Sequence, residues 1–219
     1  MKPVAIVTGG AAGVGHEIAA ALSRTGHRVL VADTAPAPGD AIRADVRDPA
    51  DCERIVAAAR SFGGPHVLVN NAGGWTPGPQ YPDAAPADWS ATIALNLTAP
   101  MLLSQLVLEP MRDLGGGAIV NISSSGGVGS TAYGSPEYGA AKAGLIRFTT
   151  SSAALAQTHD VRMTCVVPDW IGLDRAQAEW RQRGPGTPPL IPPSTVVATV
   201  LDLIADGRAG RVVELVPTV

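Results

Sequence analysis

The sequence contains little cysteine. Only Cys52 and Cys165 occur among its 219 residues, and neither stands at the spacing of a C-x-x-C pair or of a Cys/His metal site. The sequence therefore predicts no metal site, and a disulfide is not expected. Two isolated thiols are typical of a protein from a reducing compartment, which favours a cytoplasmic location.

The chain also lacks an excess of positive charge. Its sixteen Lys and Arg residues are scattered and are outnumbered by nineteen Asp and Glu, for a net charge of -3. Neither a nucleic acid nor an anionic membrane surface is therefore expected as a partner. We also expect no secretory leader and no apolar run long enough to span a membrane.

Apolar residues make up 46% of the sequence, which is ample for a core, and no linker-like break divides it. We therefore predict a single domain spanning residues 1–219. One segment near 172–193 is rich in Gly and Pro, especially from Arg181 to Pro193. Such a composition favours a surface loop, which we place beside the substrate.

Short β-branched runs alternate with longer amphipathic stretches along the chain, which predicts an α/β fold. Continuously apolar strands are typical of parallel sheets buried on both faces, so we expect a single doubly wound Rossmann-type sheet with helices on both sides. The predicted strands are 4–7, 29–31, 42–46, 67–69, 118–120, 161–167 and 211–216, and the predicted helices are 17–25, 51–61, 89–113, 136–158 and 194–206.

The second and third strands are too close for the usual crossover helix. Between Asp33 and Asp45 there is room only for a turn and a short strand, Ile42–Val46. Because a parallel connection normally takes a dozen residues or more, we predict that a loop replaces the helix here.

A glycine-rich turn joins the first strand to the first helix through Gly9, Gly13 and Gly15. Its spacing differs from G-x-G-x-x-G, but the strand-turn-helix context suits a pyrophosphate held at the helix N-terminus. A tight turn with positive φ or close packing is the alternative explanation. Asp33 ends the second strand, where an acid binds the adenosine ribose and repels a 2′-phosphate. With no arginine close after it in the sequence, NAD is favoured over NADP, unless Asp33 is an ordinary turn residue.

Tyr138 and Lys142 stand at i and i+4 on a predicted helix, so their side chains share one face. A nearby ammonium favours the ionised phenol, which makes this pair suitable for exchanging a proton with a carbonyl oxygen. Tyr133 is a competing phenol, but Glu137 occupies the position where its lysine would stand. Asn70–Gly73 follows the fourth strand at the carboxyl edge of the sheet, where ligands of such folds bind.

The glycine turn, Asn70–Gly73, Asn121–Ser125 and the Tyr138/Lys142 pair occur in an order and spacing that resemble the short-chain dehydrogenase/reductase family. The resemblance extends from Val4 to about Val216. It implies that Tyr138 exchanges a proton with the substrate oxygen, and that Lys142 lowers the pKa of the tyrosine and binds the nicotinamide ribose.

The resemblance implies further site residues. Asn96 would hold a water for proton relay, and a serine would hold the substrate oxygen. Aligning the strand selects Ser124, whereas the usual interval before the tyrosine selects Ser125. We prefer Ser124 because strand geometry is stiffer than a glycine-rich loop. The implied cofactor-binding residues are Gly9, Gly13, Val14, Gly15, Asp33, Asp45, Val46, Asn71, Ala72, Gly73, Tyr138, Lys142, Pro168 and Ile171.

The chain departs from the family pattern after the sixth strand. Asp169 replaces the usual glycine, and Leu173 stands where a threonine is expected. A buried carboxylate there is costly unless paired, so Asp169 either points outward or binds a cationic group. The aromatic residues that we expect as candidate walls of the substrate site are Trp75, Tyr133, Trp170 and Trp180.

We therefore predict an NAD(P)-dependent oxidoreductase that interconverts a small secondary alcohol and a ketone. A catalytically inactive nucleotide sensor, and an imine reductase or epimerase that uses the same Tyr and Lys, are the alternatives. The predicted helix 136–158 is rich in small residues, which permits close helix packing. The resemblance implies a homodimer or homotetramer through this helix.

Overall fold

The computed structural model describes residues 2–129, 134–184, 186–205 and 208–217. The strands are β1 Val4–Thr8, β2 Arg28–Asp33, β3 Ala41–Arg43, β4 Val67–Asn70, β5 Gly117–Ile122, β6 Val161–Pro168 and β7 Val212–Leu215. They form one seven-stranded parallel sheet in the order β3-β2-β1-β4-β5-β6-β7. The predicted α/β fold is confirmed.

Helices cover both faces of the sheet. Alternate residues of β1 point to opposite sides, so that Val4 and Ile6 join one apolar cluster while Ala5 and Val7 join the other. The helices are α1 Gly13–Arg24, α2 Pro49–Ser61, α3 Pro86–Ile93, α4 Ala99–Asp113, α5 Pro136–Ser151, α6 Leu155–Thr158, α7 Asp174–Arg181 and α8 Pro193–Ala205. The first cluster packs under α2 and α4, and the second under α1 and α8.

The predicted loop crossover is confirmed, because residues 34–40 contain no helix. The third strand is shorter than predicted and lies slightly earlier, at Ala41–Arg43. Its pairing with β2 stops before Asp45, whose N–H donates instead to the carboxylate of Asp51 on α2 at 2.8 Å. The sequence alone could not show that this amide leaves the sheet.

Two predicted helices are divided in the structure. The stretch 89–113 starts earlier, at Pro86, and holds a π-helical segment, Ala94–Thr98, between α3 and α4. The stretch 136–158 separates into α5 and α6.

One helix, α7, was not predicted and occupies the first half of the segment 172–193. Its sequence, DRAQAEWR, is polar, so hydrophobic periodicity gives no signal for it.

The run Pro86–Asp113 is apolar enough, with a mean hydropathy of 1.6 over its best window, to cross a membrane by length and composition. The expectation that no run reaches that length was therefore wrong. In the fold, Leu103, Val107 and Met111 of this run pack into the core beside the sheet, and Asn96 is buried among main-chain partners. Core packing accounts for part of this composition, since 39% of the window is buried inside the fold.

Candidate active site

Glycine is required by geometry in the turn between β1 and α1. Gly9 and Gly13 have φ values of +64° and +57°, which side-chain-bearing residues rarely adopt. A Cβ on Gly15 would lie 2.2 Å from the carbonyl oxygen of Gly9 and 2.3 Å from Nδ2 of Asn71. The turn therefore packs directly against the segment after β4.

Asn71 stabilises the contact between the glycine turn and the segment after β4. Its Nδ2 donates to the carbonyl oxygens of Thr8 and Gly9, at 2.9 and 3.0 Å. The main-chain N–H groups of Asn71 and Ala72 both donate to Oγ1 of Thr8 at 3.0 Å. These bonds fix the residues from Asn71 to Gly73 beside the glycine turn, at the carboxyl edge of the sheet.

Asp33 is tied to the same turn. Its two carboxylate oxygens accept from the N–H groups of Ala11 and Ala35, each at 2.9 Å. A cavity of 310 Å³ opens beside it. The cavity is lined by Gly9, Ala32, Asp33, Thr34, Ala44, Asp45, Val46, Arg47, Ala72, Gly73 and Leu95.

The structure places two arginines near this cavity, although the sequence suggested none close to Asp33. Arg43 pairs in register with Asp33 on the neighbouring strand, and its Nε donates to the carbonyl oxygen of Thr34 at 3.1 Å. Arg47 lines the cavity and forms an ion pair with Asp45 at 2.6 Å, which holds the pKa of that carboxyl below its usual range. Strand register brings Arg43 beside Asp33, and the local sequence does not reveal this contact.

A second cavity of 770 Å³ adjoins the first, and Gly73 lines both. Of the predicted catalytic residues, Ser124, Tyr138 and Lys142 lie on its wall. The other lining residues are Val14, Asn71, Gly73, Gly74, Trp75, Ile122, Ser123, Gly134, Ser135, Pro168, Asp169, Trp170, Ile171, Leu173, Ala176, Glu179 and Arg183.

Tyr138 and Lys142 are held on α5 against the end of β5. Tyr138 is only 8% exposed, and the Nζ atom of Lys142 lies 5.6 Å from the centroid of its ring. That Nζ donates to the carbonyl oxygen of Ile122 at 2.9 Å, while Oγ of Ser123 donates to the carbonyl oxygen of Lys142 at 2.8 Å. Hydrogen bonds through both the side chain and the main-chain carbonyl of Lys142 therefore hold α5 against the end of β5.

Burial lowers the pKa of Lys142 to about 8 from an ordinary 10.5. In the window between these values the unfolded chain holds a proton that the folded protein does not, so the contribution of Lys142 to stability rises with pH. We expect the cofactor-free protein to gain roughly 2 kcal/mol relative to the Lys142→Met variant between about pH 7 and pH 10. Urea unfolding of both proteins at the two pH values measures the difference.

The comparison with Lys142→Met is needed because the raised pKa values of Cys52 and Cys165 act in the opposite direction in both proteins. An unchanged difference between the two proteins across this pH range would contradict a depressed lysine pKa.

The two candidate serines occupy different positions. Ser124 lines the larger cavity, and its Oγ accepts from the N–H of Gly126 at 3.2 Å. The hydroxyl of Ser125 instead donates to Oδ1 of Asp169 at 2.9 Å. Asp169 lines the cavity and does not point outward, and its partner among the described residues is this serine and not a cation.

Asn96 is fully buried in the π-helical segment. Its Oδ1 accepts from the N–H of Gly74 at 2.9 Å, and its Nδ2 donates to the carbonyl oxygens of Gly74 and Thr92, at 3.1 and 3.0 Å. A Cβ on Gly73 would lie 2.7 Å from Oδ1 of Asn96 and 3.2 Å from Nζ of Lys142. Asn96 therefore positions the loop after β4 beside the lysine, and its role in holding a water stays a prediction.

The predicted aromatic walls are only partly found together. Trp75 and Trp170 line the larger cavity. Trp180 is 37% exposed, does not line the cavity and donates from Nε1 to the carbonyl oxygen of Pro188 at 2.8 Å. Tyr133 lies outside the described residues. Three further wall residues come from α7 and the turn after it: Ala176, Glu179 and Arg183. The sequence did not predict them, because α7 carries no apolar periodicity.

Comparisons with known proteins identify one family. Residues 3–184 match the family model described as short chain dehydrogenase. The chain is 35% identical over 201 residues to D-beta-hydroxybutyrate dehydrogenase of Cupriavidus necator, covering 84% of this chain and 77% of the relative. It is 32% identical over 222 residues to acetoacetyl-CoA reductase of Shinella zoogloeoides, covering 96% and 86%.

A solved structure agrees. A Burkholderia xenovorans protein described as a short-chain dehydrogenase/reductase superposes with a TM-score of 0.87 at 29% identity. The superposition covers 97% of this chain and 94% of that one.

Proposed function

This chain belongs to the short-chain dehydrogenase family of oxidoreductases, and we propose that it uses NAD to interconvert a secondary alcohol and a ketone. One observation carries the proposal: Ser124, Tyr138 and Lys142 meet on the wall of one cavity, which adjoins a second cavity lined by Asp33 and the glycine turn. A proton-transfer group and a dinucleotide cradle are thus neighbours.

The residues present suit a nicotinamide dinucleotide. A Cβ at Gly9 or Gly15 would clash with the protein's own atoms, so glycine keeps the turn packed against the segment after β4. The turn leads into the N-terminus of α1, where a pyrophosphate is favoured. The carboxylate of Asp33 can accept hydrogen bonds from the ribose hydroxyls. When bound, the nicotinamide supplies the acceptor or donor of the hydride. Asp45, Val46, Pro168 and Ile171 also line the two cavities, as expected for cofactor contacts.

The protein's own residues carry out the proton transfer. In the oxidation direction the phenolate of Tyr138 takes the proton of the alcohol hydroxyl, and in reduction the phenol returns it to the carbonyl oxygen. Lys142, when charged, favours the phenolate electrostatically. Ser124 orients the substrate oxygen. Its position on the cavity wall supports it over Ser125, whose hydroxyl proton is committed to Asp169.

The preference for NAD rests on Asp33, whose charge repels a 2′-phosphate. We expect Asp33→Asn to lower the ratio of kcat/KM for NAD over NADP by about tenfold or more, since an amide keeps an acceptor but loses the charge. Initial rates with each cofactor measure it. Asp40→Asn is the matched control, because Asp40 is a surface acid near β3 that pairs with Arg28 outside the cavity.

An unchanged ratio in Asp33→Asn would show that Asp33 does not set the preference. In that case Arg43 and Arg47, which lie near the cavity beside Asp33, would become the residues to test.

Incubation of the protein with NADH and a panel of ketones tests the function itself. We expect cofactor oxidation with at least one secondary ketone, and the reverse reaction with its alcohol. Tight NADH binding with no oxidation across the panel would favour a nucleotide sensor. The sensor alternative was favoured by Asp169, which stands where the family usually has a glycine. Because the carboxylate of Asp169 accepts a hydrogen bond from Ser125 within the site, this residue is accommodated there and the alternative is weaker.

We further propose a cytoplasmic homodimer or homotetramer. Small residues on α5, and the 41% exposure of Met101 on α4, which continues from the π-helical segment that contacts α5, support a helix-to-helix interface. Light scattering of the purified protein gives the mass of the assembly.

A further inference from the structure

One cationic side chain at the larger cavity stands apart from the catalytic group. Arg183 follows the end of α7, and its guanidinium carbon lies 4.1 Å from the ring centroid of Trp170. Both residues line the cavity. This distance is within the range of a cation–π contact, and stacking on an indole holds the planar guanidinium in a defined place.

Among the described residues, the guanidinium of Arg183 has no acid partner. Arg28, Arg47, Arg54 and Arg112 each form an ion pair with a carboxylate. Among the residues that the structure describes, none offers a carboxylate within ion-pair distance of Arg183, and its side chain makes no hydrogen bond with them. Its N–H donors are therefore available to a ligand in the cavity.

The other charged residues on the cavity wall determine which side of the cavity attracts an anion. Asp169 is half-buried beside Ser125, whereas Arg183 is exposed. Of the described wall residues, the other acid is Glu179, which is exposed and already engaged in an interaction of its own. Lys142 is buried and donates to the carbonyl oxygen of Ile122. An anion is thus repelled from the Asp169 side and attracted to the outer, Arg183 side.

We propose that Arg183 binds the carboxylate of the substrate, so that the enzyme acts on oxo acids and the corresponding hydroxy acids. This inference rests on the proposed function. A carboxylate matches the fork of guanidinium donors, and the Trp170 ring holds that fork at the cavity. Repulsion by Asp169 turns the acid end outward and the ketone toward Tyr138.

Matched acids and esters test the proposal. Oxo acids whose ketone lies at successive distances from the carboxylate, such as 4-oxopentanoate, are compared with their methyl esters in wild type and Arg183→Gln. We expect wild type to prefer the acid, and Arg183→Gln to raise the KM for the acid about five- to tenfold while the KM for the ester and kcat stay nearly constant. Arg183→Lys keeps the charge without the fork and should recover only part of the loss.

The control is Arg181→Gln, which removes the same charge from the last turn of α7. Arg181 does not line the cavity and contacts Gln177. The proposal predicts no selective effect of this variant on the acid.

Two failures are distinguishable. If neutral ketones are reduced but acids show no preference, or Arg183→Gln changes acid and ester alike, the role of Arg183 is overturned and the proposed function stands. If wild type reduces no carbonyl compound, the proposed function fails. Calorimetric titration of both proteins with pentanoate and methyl pentanoate then decides the inference, and equal binding of the two probes overturns it.

Discussion

Replacing Tyr138 with phenylalanine is expected to reduce turnover about a thousandfold while the protein still binds its cofactor. The phenol is the only described tyrosine on the wall of the larger cavity, and it stands one helical turn from Lys142. Phenylalanine keeps the buried ring but removes the exchangeable proton. Steady-state kinetics, together with a fluorescence titration of NADH, separates loss of chemistry from loss of binding.

Tyr81→Phe is the matched control for this prediction, because Tyr81 is 63% exposed and does not line the cavity. It removes the same hydroxyl and should leave both kcat and cofactor affinity unchanged. Substantial activity in Tyr138→Phe would show that another group carries the proton.

Replacing Gly15 with alanine is expected to abolish cofactor binding and to destabilise the fold by about 2 kcal/mol or more. The added methyl carbon would lie 2.2 Å from the carbonyl oxygen of Gly9 and 2.3 Å from Nδ2 of Asn71. Those two atoms are hydrogen-bonded to each other, so neither can retreat without breaking the contact between the turn and the segment after β4. Urea unfolding and NADH titration measure the two effects.

Gly184→Ala makes the same chemical change where it should have little effect. No heavy atom lies within 4 Å of the Cβ it would add, and Gly184 is not among the glycines with positive φ. If Gly15→Ala bound NADH as tightly as this control, the glycine turn could not be the cofactor cradle.

The sequence predicted the elements whose signals are local. Buried β-branched runs gave the strands of a parallel sheet, and their ends agree with the structure to within a few residues. The loop crossover followed from chain length alone, because residues 34–40 are too few for a connecting helix. The polar helix α7 was missed since its residues carry no apolar periodicity.

The candidate site likewise contains residues that the sequence predicted and residues that only the fold brings together. Strand stiffness favours Ser124 over Ser125, and the hydrogen bond from the hydroxyl of Ser125 to Asp169 is a second reason, which only the structure supplies. Arg43 was not considered near Asp33, because only the register of β3 against β2 brings them side by side.

The sequence by itself determined the glycine turn and the pairing of Tyr138 with Lys142. Both depend on short-range rules of backbone conformation and helical repeat. Tertiary structure was needed for the bond between Ser125 and Asp169, 44 positions apart, for the stacking of Arg183 on Trp170, and for the burial that lowers the pKa of Lys142. These depend on how distant segments pack and on the water that packing removes, and no local pattern encodes either.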